Sequence, residues 1–187
     1  MKRDLIGLSK FLSLVLRHNP SLIGIKLDDN GWINCDELIS KANDYQKSNR
    51  YPEMTKDILD EVVRTNDKKR FSYSQDGLKI RASQGHSIDV NLALSPKEPP
   101  EYLYHGTADK FIDNIKADGI KKMARQHVHM NEVPSMSEKV GSRHGTPKVL
   151  RIKAKEMHSD GKNFYLSDNK VWLTDHVETK YIDFDWK

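Results

Sequence analysis

Four places along the chain put residues able to handle an anion at distinctive spacings. Arg17-His18 closes an apolar run just before Asn19-Pro20. Arg70 ends the basic run Lys68-Lys69-Arg70 and precedes Phe71. His105-Gly106-Thr107 follows an aromatic stretch. Arg125, His127 and His129 share one parity in "ARQHVHMN". Guanidinium groups clamp phosphate with paired, geometrically fixed hydrogen bonds. Imidazole titrates near neutrality and can hold or move a proton. Glycine lets a ligand approach the backbone, and a flanking His and Thr add donors and acceptors. Together these residue types point to a phosphate-bearing nucleotide.

Each piece also has a plainer reading. Cations in the last turn of a helix gain ~0.3–1 kcal/mol from the helix dipole, which alone would explain Arg17 and His18. The basic runs at 68–70 and at Lys121-Lys122 can be solvated surface. His105-Gly106-Thr107 can be a strand-to-helix turn with Thr107 as N-cap. His127 and His129, two apart, would face one side of a strand and could ligate zinc. No Cys or carboxylate at metal-ligand spacing accompanies them, so no metal is expected. An Arg, His, His face suits an anionic nucleotide better.

The 187 residues can form one large domain or two small ones. Hydrophobic residues are 36% and charged residues 31%, so a modest core lies under a polar surface. No apolar run approaches the ~18 residues that span a bilayer. The opening MKRDLIGLSKF has an acid inside its apolar segment and lacks a small-residue cleavage site. Cys35 is the single cysteine, which excludes an intramolecular disulfide framework and a cysteine-rich zinc site. A cytoplasmic protein is the expectation. The net charge of +4 permits an anionic partner without demanding one.

Leu5, Leu8, Phe11, Leu12, Val15 and Leu16 recur at helical spacing, and Asn19-Pro20 stops that helix with Arg17 and His18 in its last turn. A short strand, an Asn30-Gly31 turn and a helix capped by Asn34 or Asp36 follow. Thr55 caps another helix that buries Ile58, Leu59, Val62 and Val63. "RFSYSQDGLKIRA" reads as a hairpin about Asp76-Gly77, with Phe71 and Tyr73 on one face and Arg70, Ser72 and Ser74 on the other. "QGHS", residues 84–87, reads as a turn with hydrogen-bonding side chains. Helices followed by a hairpin suggest a winged-helix-like module. Three prolines between Ile88 and Tyr102 mark a connector. The division is therefore 1–92, a linker at 93–100, and 101–187. The second part reads as an α+β lobe: a strand into His105-Gly106-Thr107, a helix ending at Gly119, and strands at "HVHM", "PKVLRIKA", "NKVWLTD" and "ETKYIDFDW".

"LSKFLSLVLRHNP", "DKKRFSY", "IRASQGHS", "YHGT" and "RQHVHM", in this order over residues 8–175, resemble the RNA 2′-phosphotransferase family. The resemblance implies a winged-helix-like RNA lobe and a C-terminal, strand-rich, NAD-binding lobe of ADP-ribosyltransferase type. It implies that NAD+ is consumed to remove an internal 2′-phosphate from RNA, such as a tRNA splice junction. The family's essential Arg-His pair falls on Arg17 and His18, its second arginine on Arg70 and its third on Arg125. Its NAD contacts fall on His105, Gly106 and Thr107, and on His129 with His127 nearby. Arg143, in "GSRHG", is a further dinucleotide contact. The implied partners are NAD+ and RNA carrying a 2′-phosphate, with no membrane, and a monomer is expected.

Two departures from the family pattern stand out. Met130-Asn131 occupies the place where the family usually has Leu-Ser, which implies altered contacts. The glutamate of other ADP-ribosyltransferases has no counterpart: its place falls near Thr179, and on a strand Glu178 would face away. A phosphate monoester is already anionic, and a carboxylate beside it would repel it. The family chemistry has two steps. The 2′-phosphate displaces nicotinamide from NAD+, and the ADP-ribose 2″-hydroxyl then attacks phosphorus. RNA leaves with a 2′-hydroxyl, and ADP-ribose 1″,2″-cyclic phosphate is released. An ADP-ribosyltransferase that stops after the first step, and an RNA- or DNA-binding regulator with an NAD-sensing lobe, are the rival readings.

Overall fold

The structure, a computed structural model, describes residues 2–45 and 53–186. The chain divides into two compact units, Met1–Ala93 and Leu94–Lys187. Every strand pair among the described residues is antiparallel.

The first unit opens with α1 (Lys2–Arg17). Leu8, Leu12, Val15 and Leu16 are fully buried along one face of this helix, as their spacing requires. Pro20 cannot continue the helix and opens a single 3-10 turn, Pro20–Ile23. No strand forms before the Asn30-Gly31 turn. Instead the Asp28 carboxylate accepts from the backbone N–H groups of Asn30 at 3.1 Å and Trp32 at 2.9 Å, which closes the turn by a side chain. Strand β1 (Ile33–Asn34) comes after it. Asn34 Oδ1 accepts from the N–H groups of Asp36 and Glu37 at 2.9 and 3.2 Å, so Asn34 is the cap of α2 (Cys35–Tyr45). Thr55 caps α3 (Lys56–Thr65) through the Ile58 N–H at 3.3 Å. Such caps stabilise a helix by ~1 kcal/mol. Strands β2 (Phe71–Tyr73) and β3 (Lys79–Ala82) form the hairpin, and the sheet order is β1-β3-β2. Leu38, Leu59, Phe71, Ile80 and Ala82 complete the core against α1.

The second unit begins with β4 (Leu103–Ala108), then α4 (Ile112–Asp118), β5 (Ile120–Lys121) and β6 (Val128–Met130). Helix α5 (Pro134–Gly141), β7 (Pro147–Ile152) and α6 (Ala154–Ser159) follow. The last strands are β8 (Tyr165–Leu166), β9 (Trp172–Thr174), β10 (His176–Val177) and β11 (Ile182–Asp183). They form three small sheets, β11-β7-β4, β6-β9-β8 and β10-β5. Leu103, Met130, Ile152, Phe164 and Tyr181 are fully buried in the core.

A further local expectation changes in the second unit. His105-Gly106-Thr107 is not a turn: β4 runs straight through it and pairs with β7 from Leu103↔Ile152 to Ala108↔Pro147. Thr107 is buried in that strand and caps no helix. The short 3-10 turn that follows starts after Ala108 without a side-chain cap. Within 93–100, Lys97 N–H donates to Phe164 O at 2.8 Å and Pro96 bridges Tyr165, so this stretch is stitched to the second unit.

Candidate active site

Arg17 is the last residue of α1 and is only 7% exposed. A cation placed there for the helix dipole alone would sit in water. Removing a guanidinium from water costs several kcal/mol unless its donors are met. One is met by a main-chain oxygen: Nη2 donates to Arg70 O at 3.3 Å. His18, the next residue, is exposed, and its Nδ1 lies 2.8 Å from Ser87 Oγ. Ser87 N–H also donates to Arg17 O at 3.0 Å.

Arg70 stands at the mouth of β2 and is set by the end of α3. Asn66, the residue after that helix, is buried, and its Oδ1 accepts from Arg70 N–H at 3.0 Å and from Arg70 Nη1 at 3.3 Å. Asn66 Nδ2 donates in turn to Ser9 Oγ on α1 at 2.7 Å. Asp67 Oδ1 lies 3.3 Å from the same Arg70 Nη1, but its side chain is largely exposed, so that pair is weak. The first unit thus brings Arg17, His18 and Arg70 together through Asn66 and Ser87. Sequence reasoning did not pick out Asn66. Its only signal was a polar residue at the helix stop.

In the second unit the two histidine motifs meet. His105 Nδ1 lies 3.0 Å from His129 O. A carbonyl only accepts, so Nδ1 carries the proton and Nε2 is the basic nitrogen of the neutral ring. Desolvation lowers the His105 pKa, and the carbonyl bond offsets it in part. The imidazole is therefore neutral at pH 7. Reciprocal bonds between Tyr104 and Asn131, at 2.8 and 2.9 Å, hold β4 against the end of β6. His127 precedes β6 and packs edge-on against Tyr165, 5.9 Å between ring centroids. Its pKa is lowered by desolvation, with Asp175 pulling the other way.

Arg125 does not share the strand's parity. The strand covers only Val128–Met130, and Arg125 lies in a turn closed by its N–H to Lys122 O at 3.0 Å. Residues 125–127 are bends outside the strand, so an alternation counted back from His129 ends at Val128 and does not reach Arg125. Arg125 is an exposed residue, and partial desolvation of its guanidinium lowers its pKa without bringing an arginine near neutrality. Arg143 is exposed in the turn after α5.

Gly106 owes its missing side chain to α5. A Cβ there would overlap the Ser137 carbonyl, and one at Gly141 would overlap the Thr107 carbonyl. Helix backbone and strand backbone therefore touch. Ser137 Oγ donates to Tyr104 O at 2.8 Å, and Asn131 Nδ2 donates to Ser137 Oγ at 3.1 Å. Asn131 thus fastens α5 over β4 through Ser137. Near the glutamate's expected place, Thr179–Tyr181 is a 3-10 turn, so strand alternation does not describe Glu178. The Glu178 carboxylate pairs with Lys162 Nζ at 2.6 Å, which lowers its pKa. Among the described residues, no group of three or more His, Cys, Asp or Glu is arranged to hold a metal ion.

Comparison with known proteins extends over almost the whole chain. A probable RNA 2′-phosphotransferase of Flavobacterium johnsoniae is 55% identical over 178 residues, covering 95% of each chain. One from Rhodopirellula baltica is 51% identical over 187 residues, covering 98% of this chain and 99% of its own. A third, from Fusobacterium nucleatum, is 49% identical over 180 residues, covering 96% and 98%. The model of the RNA 2′-phosphotransferase, Tpt1/KptA family matches residues 2–176. The chain belongs to that family.

Proposed function

We propose that this protein removes an internal 2′-phosphate from RNA by consuming NAD+. The observation that carries the reading is Arg17. It is a buried cation bonded to the backbone of a second arginine, in a chain whose relatives at about half identity are named RNA 2′-phosphotransferases. A guanidinium held rigidly and largely out of water is suited to a phosphate dianion.

The chemistry divides into two transfers. A non-bridging oxygen of the RNA 2′-phosphate attacks C1″ of the nicotinamide ribose. The C–N bond breaks, and nicotinamide leaves with the electron pair as a neutral base. The 2″-hydroxyl of the ADP-ribose then attacks phosphorus, the bond to the RNA 2′-oxygen breaks, and that oxygen takes a proton. The products are RNA with a 2′-hydroxyl and ADP-ribose 1″,2″-cyclic phosphate. Arg17, Arg70 and Arg125 bind the phosphate and stabilise the charge that gathers on its oxygens in the second transfer. His18 handles the proton or orients the phosphate.

His105, Gly106 and Thr107, with His127, His129 and Arg143, bind NAD+. The donor set fits a dinucleotide: a neutral imidazole with a fixed tautomer, a buried threonine hydroxyl and an exposed guanidinium. In the first unit the order helix, strand, helix, helix, strand, strand supports the winged-helix reading of an RNA lobe. The second unit's small antiparallel sheets support an ADP-ribosyltransferase-like lobe. The protein works in the cytoplasm as a monomer on this reading.

The test is incubation of the purified protein with a 2′-phosphorylated RNA oligomer, with and without NAD+. Dephosphorylated RNA and free nicotinamide are expected only with NAD+. A stable ADP-ribosylated RNA would point to a transferase that stops after the first transfer. RNA binding without nicotinamide release would overturn the enzyme reading.

A further inference from the structure

We infer that Ser87 is a positioning residue for His18, turning the imidazole so that Nε2 serves the 2′-phosphate. The inference rests on the function proposed above. Ser87 grips both members of the Arg-His pair. Its N–H donates to Arg17 O at 3.0 Å, and its Oγ lies 2.8 Å from His18 Nδ1. The contact joins residues 69 positions apart, from the end of α1 to the turn after β3, so the fold and not local sequence creates it.

His18 needs such a partner. It is exposed and lies one residue beyond the helix, where side chains sample several rotamers. With Nδ1 engaged by Ser87, the chemistry of this ring runs through Nε2. A hydroxyl suits the task in a way a carboxylate does not. It has one donor and two acceptor lone pairs, so it can accept from Nδ1–H or donate to bare Nδ1. The ring therefore stays in place while its protonation state changes. A carboxylate would also orient the ring, but it would add negative charge beside the site of a phosphate dianion. A neutral hydroxyl orients without repelling the substrate.

Two variants separate the side chain from the backbone. Ser87→Ala keeps the N–H to Arg17 O and removes Oγ. Ser87→Thr keeps Oγ, and the exposed position has room for the extra methyl. The first readout is the nitrogen–proton correlation spectrum of the His18 ring in the free protein. One ordered ring with a hydrogen-bonded Nδ1 is expected in the wild type and in Ser87→Thr, and an averaged ring in Ser87→Ala. The second is steady-state turnover of 2′-phosphorylated RNA with NAD+. In Ser87→Ala, kcat should fall roughly 10–100-fold, as for a misplaced catalytic group. The KM for NAD+ should not change, and Ser87→Thr should restore kcat. Wild-type kcat in Ser87→Ala, a loss that threonine does not restore, or an unchanged ring spectrum would each overturn the inference. A wild-type protein that removes no phosphate overturns the proposed function instead, and the ring spectra then still decide whether Ser87 orders His18.

Discussion

Arg17 and Arg70 meet head to backbone: the Arg17 guanidinium donates through Nη2 to the Arg70 main-chain carbonyl at 3.3 Å, joining the end of α1 to the start of β2. The contact helps fix the Arg17 guanidinium in place, because it runs to main chain and not to a mobile side chain. Arg17→Lys keeps the charge and loses the planar fork. Phosphate removal should fall by about 10²–10³ with little change in the unfolding midpoint, as for one lost transition-state donor. Normal turnover in the purified variant would return Arg17 to the rank of a helix-end cation.

Asn66 sets Arg70 by accepting from both its N–H and its Nη1. Asn66→Ala leaves the half-buried Arg70 N–H without its side-chain acceptor, which costs up to about 1–3 kcal/mol. Urea unfolding should show that loss, and turnover should fall because Arg70 is released. A variant as stable and active as the wild type would show that Arg70 holds itself.

Gly106 and Gly141 let α5 lie directly on β4. Gly106→Ala pushes a methyl into the Ser137 carbonyl and should destabilise by at least about 1–3 kcal/mol, as overpacking does. Gly141→Ala acts on the same contact, so the double variant should cost less than the sum of the singles. Additive costs in denaturant titrations would mean that the two glycines serve separate contacts.

These cases mark what could be read from the residues alone. Helix α1 and its stop were legible, because a 3.6-residue period and a proline act locally. The burial of Arg17 was not, since it depends on a carbonyl 53 residues away. His105-Gly106-Thr107 looked like a turn because glycine reads locally as one, whereas packing of α5 decides its conformation. The shared parity of Arg125 with the histidines failed because the strand begins only at Val128, a start that no pattern of polarity announces.

The pH dependence of stability has a fixed sign at His105. Its folded pKa is lowered by desolvation, so the unfolded chain binds the proton more readily. The stabilisation is complete above the unfolded histidine pKa of about 6.5 and is lost as pH falls below it. His127, lowered for the same reason, adds to the trend. Unfolding free energies from pH 8 to 5 should decline, and His105→Asn should flatten the slope. An equal slope in that variant would remove His105 from the explanation.

The arginines should matter most in the second transfer, where charge gathers on the phosphate oxygens. Arg70→Ala or Arg125→Ala should accumulate RNA carrying 2′-phospho-ADP-ribose, seen as a slower band on a gel. One lost donor is worth about 10²–10³ in rate. Total loss of activity without the adduct would assign both residues to substrate binding.

The most direct measurement follows the phosphorus itself. RNA labelled with 32P in its internal 2′-phosphate is incubated with the protein and NAD+, and the small products are separated. The label is predicted to appear in ADP-ribose 1″,2″-cyclic phosphate, in step with nicotinamide release. Label released as inorganic phosphate, or released at the same rate without NAD+, would contradict transfer to ADP-ribose and leave a plain phosphatase in its place.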